Sequence, residues 1–345
     1  MNKSKLVLPS ILALIPEEIF IECELEKEFQ AKQIFAWLSK GVSSFEEMTN
    51  LSLPLREKLK NAYSIFTSKV QNILKDSASI KFGIELQDGT LIEAVLLKDK
   101  TERLTACLSS QVGCPLACKF CKTGKLGYSR NLEAYEIIEE FHHLEKYANK
   151  RIENIVFMGM GEPLLNLNEI KKAINILTHP KGIALSKKRI TLSTSGIIKG
   201  IYTLADYENA PRLAVSLTTA DATLRNSLMP VEKSNPLPQL KQAIKYFNER
   251  TKKRVTLEIV LIHNINTSKQ MIQKIIEFSR GLNVLINLIP WNPIEEIDFT
   301  RPTDSEVSYV EKYLKEEGLN VTIRKSKAGN ISGACGQLGK IKNNE

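Results

Sequence analysis

The first quarter of the chain carries apolar residues at helical spacing, followed by a short alternating pattern. Residues 25–39 place apolar side chains on one face of a helix, and Gly41 is positioned to end that helix. A second helix is predicted after Pro54. Polar and apolar residues then alternate around a hairpin signal, in segments 80–86 and 90–97 on either side of Asp88-Gly89. We therefore expect residues 1–95 to form a small helical accessory domain that ends in a short hairpin.

From residue 96 onward, short apolar runs alternate with amphipathic helical segments. The predicted strands are 103–108, 154–159, 189–193, 212–217, 254–261, 283–289 and 320–324. The predicted helices are 131–147, 167–177, 235–249, 268–279 and 304–317. Such alternation indicates βα units around a parallel sheet or barrel. Six units fall short of the eight in a complete TIM barrel, so the expected fold of residues 96–345 is α/β, a partial (βα)6 barrel.

Polar motifs follow the predicted strands at the points where these strands end. The five motifs are 109–111 (SSQ), 159–163 (GMGEP), 193–196 (STSG), 216–218 (SLT) and 290–293 (PWNP). In parallel βα architectures, ligands bind at the C-terminal ends of the strands. The five loops are therefore expected to build one composite site.

Charge is unevenly distributed along the 345 residues, which carry a net charge of +9. Residues 1–95 contain 11 Lys and Arg against 13 Asp and Glu, whereas the remainder contains 37 against 26. This basic remainder suits a polyanionic partner, although a solvated lysine-rich surface explains the charge equally well. No apolar run approaches the ~20 residues of a membrane span, and Pro9 and Pro16 interrupt the N-terminal apolar stretch. A cytoplasmic protein without membrane contact is therefore expected.

Three of the six cysteines, Cys114, Cys118 and Cys121, are spaced C-x3-C-x2-C. Three thiolates on one loop can hold three irons of a cubane cluster, whereas full ligation usually takes four cysteines. The iron left open is what reductive cleavage of S-adenosylmethionine (SAM) requires. A zinc site is the alternative, and it would need a fourth protein ligand. The candidates for that ligand are Cys107, Cys335, His142 and His143.

The cysteine loop resembles the signature of radical SAM enzymes, with Phe120 in the aromatic position before the third cysteine. The wider stretch SSQVGCPLACKFCKTGKLGYSRNL resembles one family, the adenine-C2 methyltransferases of 23S ribosomal RNA and tRNA. Further motifs match in the family's order across residues 30–338, namely QAKQIFAWLSKG, FEEMTNL, IEAV, FMGMGEPLLN, LSKKRITLSTSG, INLIPWNP and ACGQL. The resemblance implies a radical SAM barrel, one 4Fe-4S cluster on the three cysteines, and SAM used twice per turnover.

The same resemblance implies roles for three residues outside the cysteine loop. Cys335 is expected to take a methyl group from a first SAM, and a radical made from a second SAM activates this group for addition to C2 of adenine. Glu93 matches the base that removes the C2 proton, and Cys107 matches the cysteine that releases the product by forming a disulfide with Cys335. Covalent catalysis of this kind splits one inaccessible step into feasible ones. The expected targets are adenosine 2503 of 23S ribosomal RNA and adenosine 37 of some tRNAs.

The family's SAM-binding positions are matched by several of the polar loops. Gly161 and Glu162 correspond to the loop that contacts the methionyl amino group, because glycine lets backbone approach a ligand and a carboxylate suits an ammonium. The other matched positions are Ser193, Ser216, Leu217, Thr218 and Asn292. The family commonly has histidine where this chain has Thr218, so that contact is either lost or made by backbone.

Basic residues are expected to contact RNA phosphates, which position a substrate without reading its sequence. They are Lys119, Lys122, Lys125 and Arg130, then Lys187, Lys188 and Arg189, then Lys252, Lys253 and Arg254, and finally Arg324, Lys325 and Lys327. The target base should leave its stack to reach a buried cluster. Analogy with the family adds a flavodoxin-type or ferredoxin-type reductant and a monomeric state.

Two alternatives stay open at this point. A sister group that shares the cysteines methylates adenine C8, although residues 162–163 and 290–293 resemble the C2 branch. The second alternative is a non-catalytic RNA-binding protein with a structural zinc or iron-sulfur site. Such a module would have no need for Glu93, Cys107 and Cys335 together. Cys23, in a run of glutamates, matches no role in the family.

Overall fold

The computed structural model describes residues 8–324 and 328–339, in which helices pack around a large mixed sheet. The strands are β1 (Lys69–Asp76), β2 (Ser79–Glu85), β3 (Leu91–Lys98), β4 (Leu104–Leu108), β5 (Gln111–Gly113), β6 (Tyr128–Asn131), β7 (Asn154–Phe157), β8 (Ile190–Thr194), β9 (Arg212–Ser216), β10 (Val255–Leu261), β11 (Val284–Pro290) and β12 (Val321–Ile323). The helices are α1 (Pro16–Glu22), α2 (Glu28–Leu38), α3 (Leu53–Ala62), α4 (Lys122–Lys125), α5 (Ala134–Ala148), α6 (Leu167–Thr178), α7 (Ile198–Ala205), α8 (Ala222–Leu228), α9 (Leu237–Thr251), α10 (Lys269–Ser279) and α11 (Asp304–Glu316).

The main sheet has the strand order β1-β2-β3-β4-β7-β8-β9-β10-β11-β12. In this sheet β4 and the strands from β7 to β12 run parallel, whereas β1 to β4 pair antiparallel. Helices connect each parallel strand to the next, which gives six βα units and confirms the partial (βα)6 barrel. Its inner strands are buried on both faces, as β9 shows with the consecutive buried residues Leu213, Ala214 and Val215. The strands and helices predicted for this region all appear.

The N-terminal region contains the two predicted helices, as α2 and α3, and the predicted hairpin of β2 and β3. That hairpin joins the main sheet through β4. Two elements were not predicted. Strand β1 lies at the sheet edge with mostly exposed side chains, so the alternation that marks a half-buried strand is weak there. Helix α1 begins at Pro16, which we had interpreted as an interruption. Proline fits the first helical turn because no amide donor is needed there.

The remaining unpredicted elements are short and lie near the ends of the parallel strands. They are the hairpin of β5 and β6 and the helices α4, α7 and α8. Segments this short carry too few residues for a periodic pattern to stand out. Among the described residues, no helix combines the length and apolar character that crossing a membrane requires.

Candidate active site

A cavity opens at the C-terminal ends of the parallel strands. Its open volume is about 1070 Å³, part of which is continuous with solvent. Four of the five predicted polar motifs supply residues to its wall. The fifth, residues 109–111, supports the wall from behind, where Gln111 Oε1 accepts a hydrogen bond from the N–H of Glu162 at 2.9 Å. Parallel strands end at one edge of a sheet, so residues far apart in sequence meet here.

The three cysteines of the predicted metal loop lie between β5 and α4, and all three line this cavity. Close backbone contacts shape the loop. The N–H of Cys114 donates to the carbonyl of Gly127 at 2.7 Å, and the N–H of Cys121 donates to the carbonyl of Cys118 at 3.1 Å. Gly113 has φ +77°, and a Cβ added there would lie 2.0 Å from the Gly127 carbonyl oxygen. Glycine is therefore required at the start of the loop.

The chemistry of the three thiols fits a cationic cluster. Burial raises the pKa of Cys114 to about 12 and raises the pKa values of Cys118 and Cys121 as well. The thiols are thus protonated at neutral pH until a metal centre displaces the protons. Among the described residues, no group of three or more His, Cys, Asp or Glu side chains could hold a single metal ion. Three sulfurs on the wall of one cavity suit a cubane, in which three of the four irons would each take one thiolate.

The two histidines considered as zinc ligands lie on α5 and contact other residues. The rings of His142 and His143 pack against Phe66, with centroids 6.2 and 5.1 Å apart. His143 Nε2 also lies 2.9 Å from the Ser68 hydroxyl. Burial lowers the pKa of both histidines to about 4. Their contacts join α5 to the segment before β1 and place neither imidazole among the residues that line the cavity.

The loop after β7 contributes Gly161 and Glu162 to the cavity wall. The buried Glu162 carboxylate accepts hydrogen bonds from the N–H groups of Leu164 at 3.0 Å and Ser195 at 2.7 Å. Burial raises the pKa of this carboxyl. Glu162 therefore ties the loop after β7 to the loop after β8, and Gly161, with φ +102°, packs closely against Ser110 and Gln111.

We expect Gly161→Ala to weaken SAM binding about tenfold, a loss of about 1.4 kcal/mol. The added methyl would lie 2.6 Å from Gln111 Cβ and 2.7 Å from Ser110 Oγ, which forces the loop to shift. Calorimetric titration of the reconstituted protein with SAM measures the effect. Gly281→Ala is the matched control, since Gly281 also has a positive φ, +76°, but no described atom lies within 4 Å of its added Cβ. Equal SAM affinities in the two variants would contradict the prediction.

Three of the other predicted SAM contacts line the cavity together. Ser193 and Ser216 lie at the ends of β8 and β9, and Asn292 follows β11. The Asn292 side-chain amide also donates to the carbonyl of Cys335 at 3.1 Å. Asn292 therefore connects the cavity wall to the C-terminal loop, by which we mean residues 328–339.

Leu217 and Thr218 are instead fully buried in the protein core. Their N–H groups both donate to the carbonyl of Glu258, at 3.0 and 3.1 Å. Thr218 adopts φ +60°, and its hydroxyl has no hydrogen-bond partner in the part of the chain that the structure describes. The carbonyl of Thr218 accepts from Asn266 at 2.9 Å. The backbone polar groups of this segment thus bond to neighbouring strands and loops.

Cys335 lies where the main cavity meets a second cavity, and it lines both of them. Cys107, on β4, lines the second cavity. Burial raises the pKa of Cys107 to about 12, and the nearby Cys335 adds to this effect. Both residues are free thiols in this structure. The fold therefore brings the predicted methyl carrier and its predicted partner together from opposite ends of the barrel.

The C-terminal loop docks against two other parts of the site. The Thr123 hydroxyl, on α4, donates to the carbonyl of Leu338 at 2.8 Å. On the other side, the Gln337 side-chain amide donates to the carbonyl of Pro293 at 2.8 Å. These contacts hold Cys335 beside the cysteine loop.

Glu93, the predicted base, is buried on β3. Its Oε1 lies 2.8 Å from Lys81 Nζ, and its Oε2 accepts a hydrogen bond from the N–H of Gly339 at 2.5 Å. Glu93 therefore contacts the C-terminal loop directly. Among the described residues, those that line the two cavities do not include Glu93.

Two residues of the site were missed by the sequence interpretation. Arg324, which we had assigned to an RNA-contacting group, lines both cavities. The nearby Cys335 raises the pKa of Arg324, and Glu258 and Cys107 act in the same direction. Glu258, on β10, lines the main cavity and accepts from Asn287 at 2.7 Å. Both could have been found, since Arg324 follows a strand end and Glu258 is the one charge in its strand.

The other predicted RNA-contacting residues divide between two faces of the molecule. Residues 187–189 and 252–254 precede β8 and β10. They therefore lie at the N-terminal ends of the parallel strands, opposite the cavity. Near the cysteine loop, Lys122 Nζ lies 2.5 Å from a Glu296 carboxylate oxygen, and Arg130 forms ion pairs with two carboxylates. RNA contact by these two side chains would require them to exchange partners. Lys325 and Lys327, which were also predicted to contact RNA, lie outside the described residues.

Comparison with known protein families gives matches in two separate parts of the chain. The model of the Radical SAM superfamily matches residues 108–278, and that of the ribosomal RNA large subunit methyltransferase N-terminal domain matches residues 17–65. Proteins named probable dual-specificity RNA methyltransferase RlmN, from Treponema denticola and Treponema pallidum, are 57% and 50% identical to this chain. These alignments cover 96% of this chain and 95% and 97% of the relatives.

A solved structure supports the same relationship. A radical SAM methyltransferase from Sphaerobacter thermophilus superposes with a TM-score of 0.92 at 33% identity, covering 96% of this chain and 99% of that one. The cofactors of this enzyme class are one 4Fe-4S cluster and SAM, as the resemblance implied. The chain therefore belongs to the dual-specificity RNA methyltransferase family of the radical SAM superfamily.

Proposed function

We propose that this enzyme methylates carbon C2 of adenine, with adenosine 2503 of 23S ribosomal RNA and adenosine 37 of some tRNAs as its targets. The observation that carries the proposal is the position of Cys335. It lines both the cavity of the three loop cysteines and the cavity of Cys107. A sulfur at this junction can receive a methyl group from a cofactor in the main cavity. A thiol in the second cavity can then attack this sulfur and free the methylated product.

The target carbon explains why such a site is needed. C2 lies between two ring nitrogens and is too electron-poor to attack the methyl group of SAM. When bound, the cluster supplies the electron that cleaves SAM, and the resulting radical activates a methyl group for addition to C2. We assign the cluster to Cys114, Cys118 and Cys121. The residues proposed to contact SAM are Gly161, Glu162, Ser193, Ser216 and Asn292, all of which line the same cavity.

Three side chains carry the remaining chemistry of the proposal. The Cys335 sulfur takes the methyl group from the first of two SAM molecules and later delivers its carbon to C2, which ties the RNA to the protein. The Glu93 carboxylate accepts the C2 proton, and the unpaired electron that radical addition leaves on the base would return to the cluster that SAM cleavage has oxidised. The Cys107 sulfur then attacks the Cys335 sulfur, so an S–S bond forms while the S–C bond breaks. The electron pair of the S–C bond stays on the carbon, which takes up a proton to complete the new methyl group.

Further features of the proposal concern the substrate and its surroundings. Residues 1–95, with their slightly negative charge balance, are proposed to hold structured RNA by its shape, while residues 96–345 form the catalytic core. The target base leaves its stack to enter the cavity. The enzyme is proposed to act in the cytoplasm as a monomer. A flavodoxin-type or ferredoxin-type protein would donate the electron that SAM cleavage consumes.

Mass mapping of RNA from a strain that lacks this protein tests the assignment. We expect 2-methyladenosine to disappear from 23S ribosomal RNA and from tRNA, and to return when the wild-type chain is supplied. Unchanged 2-methyladenosine with 8-methyladenosine missing would overturn the assignment in favour of the C8 branch. If neither 2-methyladenosine nor 8-methyladenosine changed, the proposed targets of this methyltransferase would be wrong.

A further inference from the structure

A buried ion pair lies beneath the C-terminal loop. Lys81 on β2 and Glu93 on β3 form it, with side chains only 2% and 5% exposed and 2.8 Å between Nζ and Oε1. In the antiparallel register Lys81 lies opposite Val95 and Glu93 lies opposite Gly83. The two side chains are therefore diagonal neighbours on one face of the sheet. Burying two charges is unfavourable unless their hydrogen bonds are well satisfied, so the remaining contacts of this pair are informative.

In the described part of the chain, the other hydrogen bonds of these two side chains lead to the loop that carries Cys335. Lys81 Nζ donates a hydrogen bond to the carbonyl of Ser332 at 3.3 Å. The other oxygen of Glu93 accepts from the N–H of Gly339 at 2.5 Å. Ser332 precedes Cys335 in the sequence and Gly339 follows it. One ion pair therefore fixes the backbone on both sides of the proposed methyl carrier.

This anchor differs in direction from the anchors at Thr123 and Pro293. Thr123 and Pro293 hold residues that follow Cys335, through contacts from the cysteine loop and from the segment after β11. Lys81 approaches from the hairpin of β2 and β3 and contacts the loop before Cys335. Its ammonium touches neither cavity in the described part of the chain. Any effect of Lys81 on the reaction must therefore act through the residues it holds.

We propose that Lys81 is a positioning residue for the methyl transfer. By holding Glu93 and Ser332 together, its ammonium keeps the C-terminal loop closed on the sheet and Cys335 at the junction of the two cavities. The inference rests on the proposed function, because it gives Cys335 the role of methyl carrier and Glu93 that of the base. Lys81 therefore positions both the Cys335 thiol and the Glu93 carboxylate.

Alkylation of Cys335 in the full-length, cluster-loaded enzyme tests this inference. Lys81→Met keeps the length of the side chain and removes the ammonium. We expect iodoacetamide to modify Cys335 at least about fivefold faster in this variant, and RNA methylation to slow at least about tenfold, because the lost ion pair frees the loop. Mass spectrometry of the tryptic peptide 328–340 measures the modification. Lys81→Arg, which keeps a cation, is expected to restore part of both properties.

Lys274→Met is the matched control, since Lys274 forms an ion pair with Asp221 outside the C-terminal loop. It is expected to leave both alkylation and methylation unchanged. If Lys81→Met does not fold, the double variant Lys81→Met/Glu93→Gln removes both buried charges and is expected to show the same fast alkylation. Wild-type alkylation rates in a folded variant would overturn the inference. The alkylation rate does not depend on which RNA base is methylated. If Lys81→Met speeds alkylation but the deletion strain keeps its 2-methyladenosine, the positioning role of Lys81 stands and only the C2 assignment is wrong.

Discussion

Cys335→Ala is expected to abolish RNA methylation, with a loss of at least about 1000-fold in the rate of methyl transfer to RNA. The substitution removes the sulfur that receives the methyl group and leaves a smaller side chain in a loop that its neighbours still hold. The cluster cysteines and Cys107 keep their places. Transfer of labelled methyl groups from SAM to RNA, by anaerobically reconstituted enzyme, measures the effect.

Cys23→Ala provides the matched control for this experiment. Cys23 is also a buried free thiol, but it lies at the end of α1, in the N-terminal region. Its replacement is expected to leave methylation unchanged. Near-wild-type methylation by the Cys335→Ala enzyme would show that the methyl group does not pass through this sulfur, and the proposed mechanism would fail.

Cys107→Ala is expected to trap RNA on the protein. If Cys107 releases the product, its loss stops the reaction after RNA has become attached to Cys335. Protein purified from cells should then migrate as a larger species on a denaturing gel, and ribonuclease should remove the difference. The wild-type protein is expected to carry little RNA.

The double variant Cys107→Ala/Cys335→Ala separates covalent trapping from tight binding. Without Cys335 no tether can form, so the larger species should vanish. A Cys107→Ala protein that purifies free of nucleic acid would count against the release step. RNA that stays attached in the double variant would show that the link does not involve Cys335.

The helices and strands of the barrel followed closely from the sequence because their signals are local. Continuous apolar runs mark strands buried on both faces, and amphipathic segments mark the helices that cover them. Strand β1 escaped prediction since its exposed edge position gives no such pattern. The cysteine loop could also be recognised from the sequence, because Cys114, Cys118 and Cys121 are close together in it. In the structure all three line one cavity.

Side-chain orientation in the site was less accessible from the sequence. Among the positions expected to bind SAM, Ser216 lines the cavity, whereas Leu217 and Thr218 next to it are buried in the core. A strand's end sends adjacent side chains in different directions, so sequence position alone does not tell which of them face a ligand. Arg324 shows the reverse case, since a residue expected on the RNA-binding surface lines both cavities instead.

The sequence by itself determined the barrel and identified the cysteine loop and the other candidate thiols. Only the tertiary structure decided that Cys335 lies between the loop cysteines and Cys107, and that Lys81 and Glu93 hold its loop. The physical reason is the range of the interactions. Helix and strand patterns come from neighbouring residues, whereas these contacts join distant segments through sheet register, burial and charge pairing, which no local pattern contains.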